Sequence, residues 1–476
     1  MERKSGVLMH ISSLFGDYSI GSFSKSARDF IDFLKECKFT YWQVLPFNMA
    51  DFYNSPYQSY SAFSGNPYFV DIDSLFEKGL LTVEEKELAK QNQPYSTEYD
   101  RLYEERFSLL KKASLRVENR EKITSFIEAR PRVNNFCLFM AKKEANANKP
   151  WNEWENEDYN PETLFMWQFI QYEFLISWLD IKKYANDKGI KIIGDIPIYV
   201  SFDSADVWSY KEGFLLEDNK PTLVAGVPPD YFCEDGQLWG NPLYNWDKMK
   251  EDGYSWWMER LLYMTELFDG VRIDHFRGLE SFWAVPYGSE NARGGKWIKG
   301  PGMELISKIN ARFSDKLIIA EDLGEITEEV TALLKESTFP GIRVLQFGFL
   351  GDYDNPHMPH NYINNSVAYT GTHDNNTLLG HLWELDMDNK KRMLEYCNYF
   401  SSDWEKGFDS VLRAVFMSNA GIVILPIQDL LGYGSDTRMN VPGRAEGNWC
   451  FRITKDQLMS IDKNKFIKLN ELYKRC

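Results

Sequence analysis

The sequence has 476 residues, 43% of them hydrophobic and 15% aromatic, with 70 acidic against 54 basic side chains and a formal net charge of −16. A field of that sign repels phosphate backbones and anionic lipid, so it argues against nucleic acid and membrane surfaces as partners and favours a neutral ligand. No apolar run approaches the ~18 residues of a membrane span. The run at 6–11 behind Arg3 and Lys4 is too short for a signal-peptide core, and the six cysteines lack metal-binding spacing, so the cytoplasm is expected.

In chain order, the first predicted strand is 7–11. A helix follows on which Phe23, Ala27, Phe30, Ile31 and Leu34 recur at helical spacing, leading to a second strand at 41–46. The largest insertion, 48–165, opens on the aromatic-polar loop Ser55-Pro56-Tyr57-Gln58-Ser59-Tyr60 and continues charged and helical. A long helix over 164–187 reaches Gly189, a C-cap residue, before the third strand at 190–196. A second insertion, 201–250, is rich in Pro, Gly and Trp and contains Gln237-Leu238-Trp239-Gly240-Asn241-Pro242-Leu243-Tyr244. Strands at 271–274, 317–321, 342–347, 366–370 and 421–426 complete the set.

Continuous apolar runs suit strands covered on both faces, as in a parallel sheet. Eight of them alternating with helices predict an α/β protein with a (β/α)8 TIM barrel. A doubly wound open sheet shares the alternation, and the count favours closure. A bare barrel needs ~250 residues, and no clean interdomain linker is present. The expected organisation is one barrel over 1–476, with subdomains at 48–165 and 201–250 grown from its loops.

Barrel sites form at the C-terminal ends of the strands. The ionisable residues there are Asp195, Asp274, Glu321 and Asp374, with Arg272, His275 and His373 beside them. Arg272 and Asp274 share a strand face, and an adjacent guanidinium is expected to lower the carboxylate's pKa and keep it ionised, as a nucleophile requires. A structural ion pair has the same pattern. Glu321 follows the apolar Ile318-Ile319-Ala320, and partial desolvation near an anionic Asp raises a glutamate toward general-acid range. Alternation turns Asp322 the other way. Asp374, 53 positions after Glu321, adds a third acid. Its His-Asp pairing also occurs in metal-dependent hydrolases, although the first strand offers only His10 as a further imidazole. Tyr57 and Trp239 supply flat faces for sugar rings and are expected on the acceptor side.

The chain resembles 4-α-glucanotransferases of the amylomaltase, or disproportionating-enzyme, type over nearly its whole length. The segments that carry the resemblance are Ser55-Pro56-Tyr57, Gly194-Asp195-Ile196-Pro197, Ala225-Gly226-Val227-Pro228-Pro229-Asp230-Tyr231-Phe232, 237–244, 271–278, 320–324, 371–375 and Arg438-Met439-Asn440-Val441-Pro442-Gly443. The resemblance implies retaining transfer of α-1,4-glucan segments between maltooligosaccharides, with no metal and no organic cofactor. It implies catalytic roles for Asp274 (nucleophile), Glu321 (acid/base) and Asp374 (holding ring hydroxyls). Tyr57, Asp195, Trp239, Arg272, His275, His373 and Asn440 are the implied substrate contacts. Asn376 stands where the family commonly has Asp, and Arg444 where a small residue is usual, which bears on subsite affinity. A glucan hydrolase using the same acids, a His-Asp metal hydrolase and a non-catalytic glucan binder are the competing classes.

Overall fold

Eight parallel strands close into a barrel in the computed structural model, which describes residues 1–50, 54–229, 234–401, 404–444 and 446–476. They are β1 (Lys4–Leu8), β2 (Tyr41–Gln43), β3 (Lys191–Ile196), β4 (Gly270–Ile273), β5 (Leu317–Ala320), β6 (Gly341–Val344), β7 (Ser366–Tyr369) and β8 (Ile422–Pro426). Each pairs with its neighbours in sequence, and β8 returns to β1 with Val7 opposite Leu425. Every predicted run overlaps one barrel strand; the largest offset is at β1, which starts three residues before the predicted 7–11 and ends at Leu8. The interior is filled by inward-facing apolar side chains, among them Leu8, Ile193, Ile319, Ile342, Val367 and Ile424, so the barrel is a packed core with its site on top.

The helices form where local chemistry starts and stops them. Lys25–Glu36 begins at Ser24, whose side chain accepts from Ser26 N, and buries Ala27, Phe30, Ile31 and Leu34. Pro161–Asp187 starts with Pro161 in its first turn under an Asn160 cap, and Gly189 beyond its end takes φ +80°, which glycine adopts without strain. Gly194 in β3 is needed for a different reason. A Cβ there would come within 2.2 Å of the Phe268 ring.

The connection from β2 to β3 carries helices including Phe107–Leu115, Arg120–Glu128 and Pro131–Ala145, which pack on Pro161–Asp187. The connections after β3 and β4 together build a four-stranded antiparallel sheet in the order Lys296–Lys299, Ser281–Pro286, Leu223–Val227, Gln237–Pro242. Sequence reasoning overlooked all four strands: it read the first connection only as an insertion rich in Pro, Gly and Trp, and the second not at all. Two short strands that find partners in a distant insertion leave no long periodic stretch of their own. Asp230, Tyr231 and Phe232 of the family-like segment, and Cys233, lie outside the described residues. Among the described residues no helix is long and apolar enough to cross a membrane.

Candidate active site

The two leading acids leave neighbouring strands side by side. The β4–β5 ladder ends with Ala320 opposite Ile273, and the next residues are Glu321 and Asp274. Glu321 continues this ladder for one more step, its N donating to Ile273 O at 3.0 Å, and Asp274 continues the β3–β4 ladder, its N donating to Ile196 O at 2.9 Å. Adjacent strands lie about 4.8 Å apart, so both carboxyls open into one space.

Arg272 organises the side of the site that carries Asp274. Its Nη1 donates to both oxygens of Asp195, at 2.9 and 2.7 Å, and its Nη2 pairs with Asp274 Oδ1 at 2.9 Å. The shared face of Arg272 and Asp274 is therefore real. Asp195, expected as a sugar contact, is wholly buried, and Tyr57 OH also donates to its Oδ2 at 2.7 Å. It meets the site through Arg272 and Tyr57.

Glu321 is held by main chain. His275 N donates to its Oε2 at 2.6 Å and Leu323 N to its Oε1 at 2.9 Å. His275 reaches this position in the left-handed region, φ +50°, an uncommon conformation for a non-glycine residue that turns the chain sharply after Asp274. Asp322 points away, accepting from Ile342 N and Arg343 Nη1.

Burial sets the protonation pattern. It raises Glu321 to about 8, against the opposing Arg272 and with Asp274 adding to the rise. Burial also raises Asp274, to about 6. The expected lowering by Arg272 is present and is outweighed by burial, with Asp195 and Asp374 adding to the rise. Asp274 keeps 28% of its side-chain surface open to the cleft, so water offsets part of this cost. Asp374 behaves oppositely: His373 and the Asn440 amide, at 2.6 Å, overcome burial and hold it well below the usual carboxylate range. The ordering leaves Glu321 the acid that keeps its proton longest.

The aromatics divide between two sides. Tyr57 stacks on His373 (centroids 5.1 Å, 13° between planes), next to Asp374, with Trp449 tilted against both. Trp239 meets His275 edge-on at 4.9 Å, next to the Glu321 cradle. Tyr57 and Trp239 therefore touch different residues of the site, the Tyr57 hydroxyl being drawn to Asp195. An open cleft of about 1030 Å³ unites Asp274, Glu321, Asp374, Arg272, His275 and Trp239. Gly226, Arg277 and Trp297 also line it and were missed, as was Trp449; an aromatic in the same loop as Asn440 was the available signal for Trp449. Asn376 faces inward, donating to Ser435 Oγ and accepting from Thr377 N, and Arg444 lies on an exposed turn. Among the described residues no group of three or more His, Cys, Asp or Glu is arranged to hold a metal.

Comparison with known proteins gives one answer. The sequence profile of a family described as 4-alpha-glucanotransferase matches residues 9–458. The 4-alpha-glucanotransferase of Clostridium butyricum is 42% identical over 490 residues, covering 98% of this chain and 100% of that protein. The one from Thermus thermophilus is 41% identical, with 96% of each covered. In structure, the amylomaltase from Streptococcus agalactiae in complex with acarbose superposes with a TM-score of 0.95 at 38% identity, over 100% of both chains.

Proposed function

Since the chain belongs to the 4-alpha-glucanotransferase family, we propose that it carries out its transfer through Asp274 as nucleophile and Glu321 as general acid/base. The activity is the movement of α-1,4-glucan segments from a donor maltooligosaccharide to an acceptor. The observation that supports these roles is the pair of carboxyls on adjacent strand ends, one paired with Arg272 and the other kept protonated to about pH 8.

In the first step Glu321 gives its proton to the glycosidic oxygen while an Asp274 oxygen bonds to the anomeric carbon and the C–O bond breaks. The shortened chain leaves. In the second step the 4-hydroxyl of an acceptor loses its proton to Glu321 and displaces Asp274, restoring the enzyme with retention, the course expected for two carboxyls ~5–5.5 Å apart. Asp374, ionised beside His373 and Asn440, accepts hydrogen bonds from ring hydroxyls of the donor sugar. Arg272 holds the Asp274 carboxylate in its charged form while the bond to carbon forms. Tyr57 serves the donor side with His373 and Asp374, and Trp239 the leaving-group and acceptor side with Glu321. Transfer outpaces hydrolysis because a bound acceptor gains the effective concentration of a positioned reactant, up to ~10⁵ M or more.

Maltotriose supplies the test of this reaction. It should yield a ladder of longer maltodextrins together with glucose or maltose while total reducing ends stay constant. A steady rise in reducing ends at high maltotriose would make the enzyme a hydrolase. Trp239→Ala should shift products toward hydrolysis and raise the acceptor concentration needed for transfer; an unchanged ratio removes Trp239 from the acceptor side.

The protonation pattern predicts a bell-shaped kcat/KM with apparent limbs near 6 and 8 that belong to the coupled pair. Below about 6 Asp274 takes a proton and ceases to attack. Above about 8 Glu321 has lost the proton the leaving group needs. A flat profile across both limbs would contradict the assignment. We also assign the enzyme to the cytoplasm, a reading supported by Cys37, Cys137, Cys397, Cys450 and Cys476, all free thiols.

A further inference from the structure

Trp297 has no role in the mechanism above, yet it lines the same cleft as Asp274 and Glu321. Its strand, Lys296–Lys299, forms one edge of the four-stranded sheet, and Gln237–Pro242, which carries Trp239, forms the other. Three inter-strand steps separate the edges, about 14 Å in all. The register sets Trp297 opposite Trp283, Trp283 opposite Gly226, and Gly226 opposite Leu238. Residues paired across an antiparallel ladder project from the same face, so Trp297, Trp283 and Leu238 share one face and Trp239, the next residue, turns to the other, while both Trp297 and Trp239 line the cleft. Within this row Gly226 leaves bare backbone in the cleft, where an added Cβ would come within 2.5 Å of Gln237 O.

The indole is held but not covered. The small core on this sheet consists of Val224, Val285 and Ala292 with Trp283 against it, and Trp297 lies outside it with 39% of its surface open. The Arg277 guanidinium lies 3.9 Å from the Trp297 ring centroid, and Trp283 meets the ring edge-on at 5.2 Å. Arg277 is itself tied down, donating through Nη1 to Glu325 O and through Nη2 to Ser281 Oγ at 3.2 Å. A cation seated on an aromatic ring holds that ring in place, and an open ring face is a stacking surface for the apolar face of a pyranose.

The position also fixes which part of the substrate it meets. Arg277 belongs to the turn Phe276–Leu279, immediately after His275, whose N–H holds Glu321. The group that protonates the glycosidic oxygen stands on the leaving-group side, and the acceptor later occupies that same side. We infer that Trp297, braced by Arg277, is a specificity-determining platform for leaving-group and acceptor glucosyl units lying beyond Trp239. This rests on Glu321 as the acid/base.

The test is an acceptor-length series with α-maltosyl fluoride as fixed donor and glucose, maltose, maltotriose and maltotetraose as acceptors. The parent should improve with length, and Trp297→Ala should reduce the maltotetraose-to-maltose ratio of kcat/KM by about fivefold or more, while Trp297→Phe keeps most of it. Melting curves establish that the variants fold. If Trp297→Ala does not fold, Trp297→Leu, which retains apolar contact with Arg277 but offers no ring, carries the same comparison. An unchanged ratio overturns the platform, as does an equal loss with every acceptor or a parent indifferent to acceptor length. A parent that makes no transfer product would instead fail the mechanism itself, and that outcome is visible before any variant is made.

Discussion

Asp274→Asn should lower transfer between maltodextrins by on the order of 10⁴- to 10⁶-fold, the scale seen when a covalent nucleophile is removed. An amide cannot form the glycosyl ester, and no neighbouring acid can replace it. Asp195 is enclosed by Arg272 and Tyr57, and Asp374 is occupied by His373 and Asn440. The fold should not suffer. A carboxylate whose pKa rises on folding contributes more stability when protonated, and that contribution is lost as pH climbs through about 6, so at pH 7 the ionised Asp274 is a burden on the fold. Replacing it with a neutral amide should leave the melting temperature unchanged or slightly raised. Activity within tenfold of the parent would remove Asp274 from the nucleophile's role.

Glu321→Gln should disable natural glucans by at least about 10³-fold, since general acid catalysis is lost in the first step and general base catalysis in the second. The two losses separate with a donor such as a glycosyl fluoride, whose leaving group needs no proton. Glycosylation of Asp274 should then remain fast and its release slow, so a burst equal to the enzyme concentration should precede a slow steady state. The alkaline limb of the pH profile should vanish with the carboxyl that causes it. A variant equally slow with both kinds of donor would mean that Glu321 positions the substrate and moves no proton.

Much of this arrangement was legible in the sequence, and what was not has a common cause. The barrel strands are buried on both faces, so most leave a largely apolar run, and Asp195, Asp274 and Glu321 stand out as the first acids at the ends of those runs. The shared face of Arg272 and Asp274 follows from strand alternation alone. The pKa of Asp274 does not. It depends on how much water the cleft excludes and on the distant Asp195 and Asp374, neither of which a local segment records. Tyr57 was legible as an exposed-loop aromatic but its surroundings were not, because its direction is set by a hydrogen bond to Asp195, 138 positions away. Trp297 was silent for a similar reason. Its strand gains meaning only when Ser281–Pro286 and Leu223–Val227 carry it across to the sheet edge opposite Trp239.

The most direct test of the central claim is mass analysis of Glu321→Gln after brief exposure to α-maltosyl fluoride, followed by digestion and peptide mapping. The account predicts one added maltosyl group on the peptide containing Asp274, absent from the double variant Asp274→Asn/Glu321→Gln. A maltosyl group on a peptide bearing Asp374 or Asp195, or turnover of the fluoride without any covalent adduct, would contradict it.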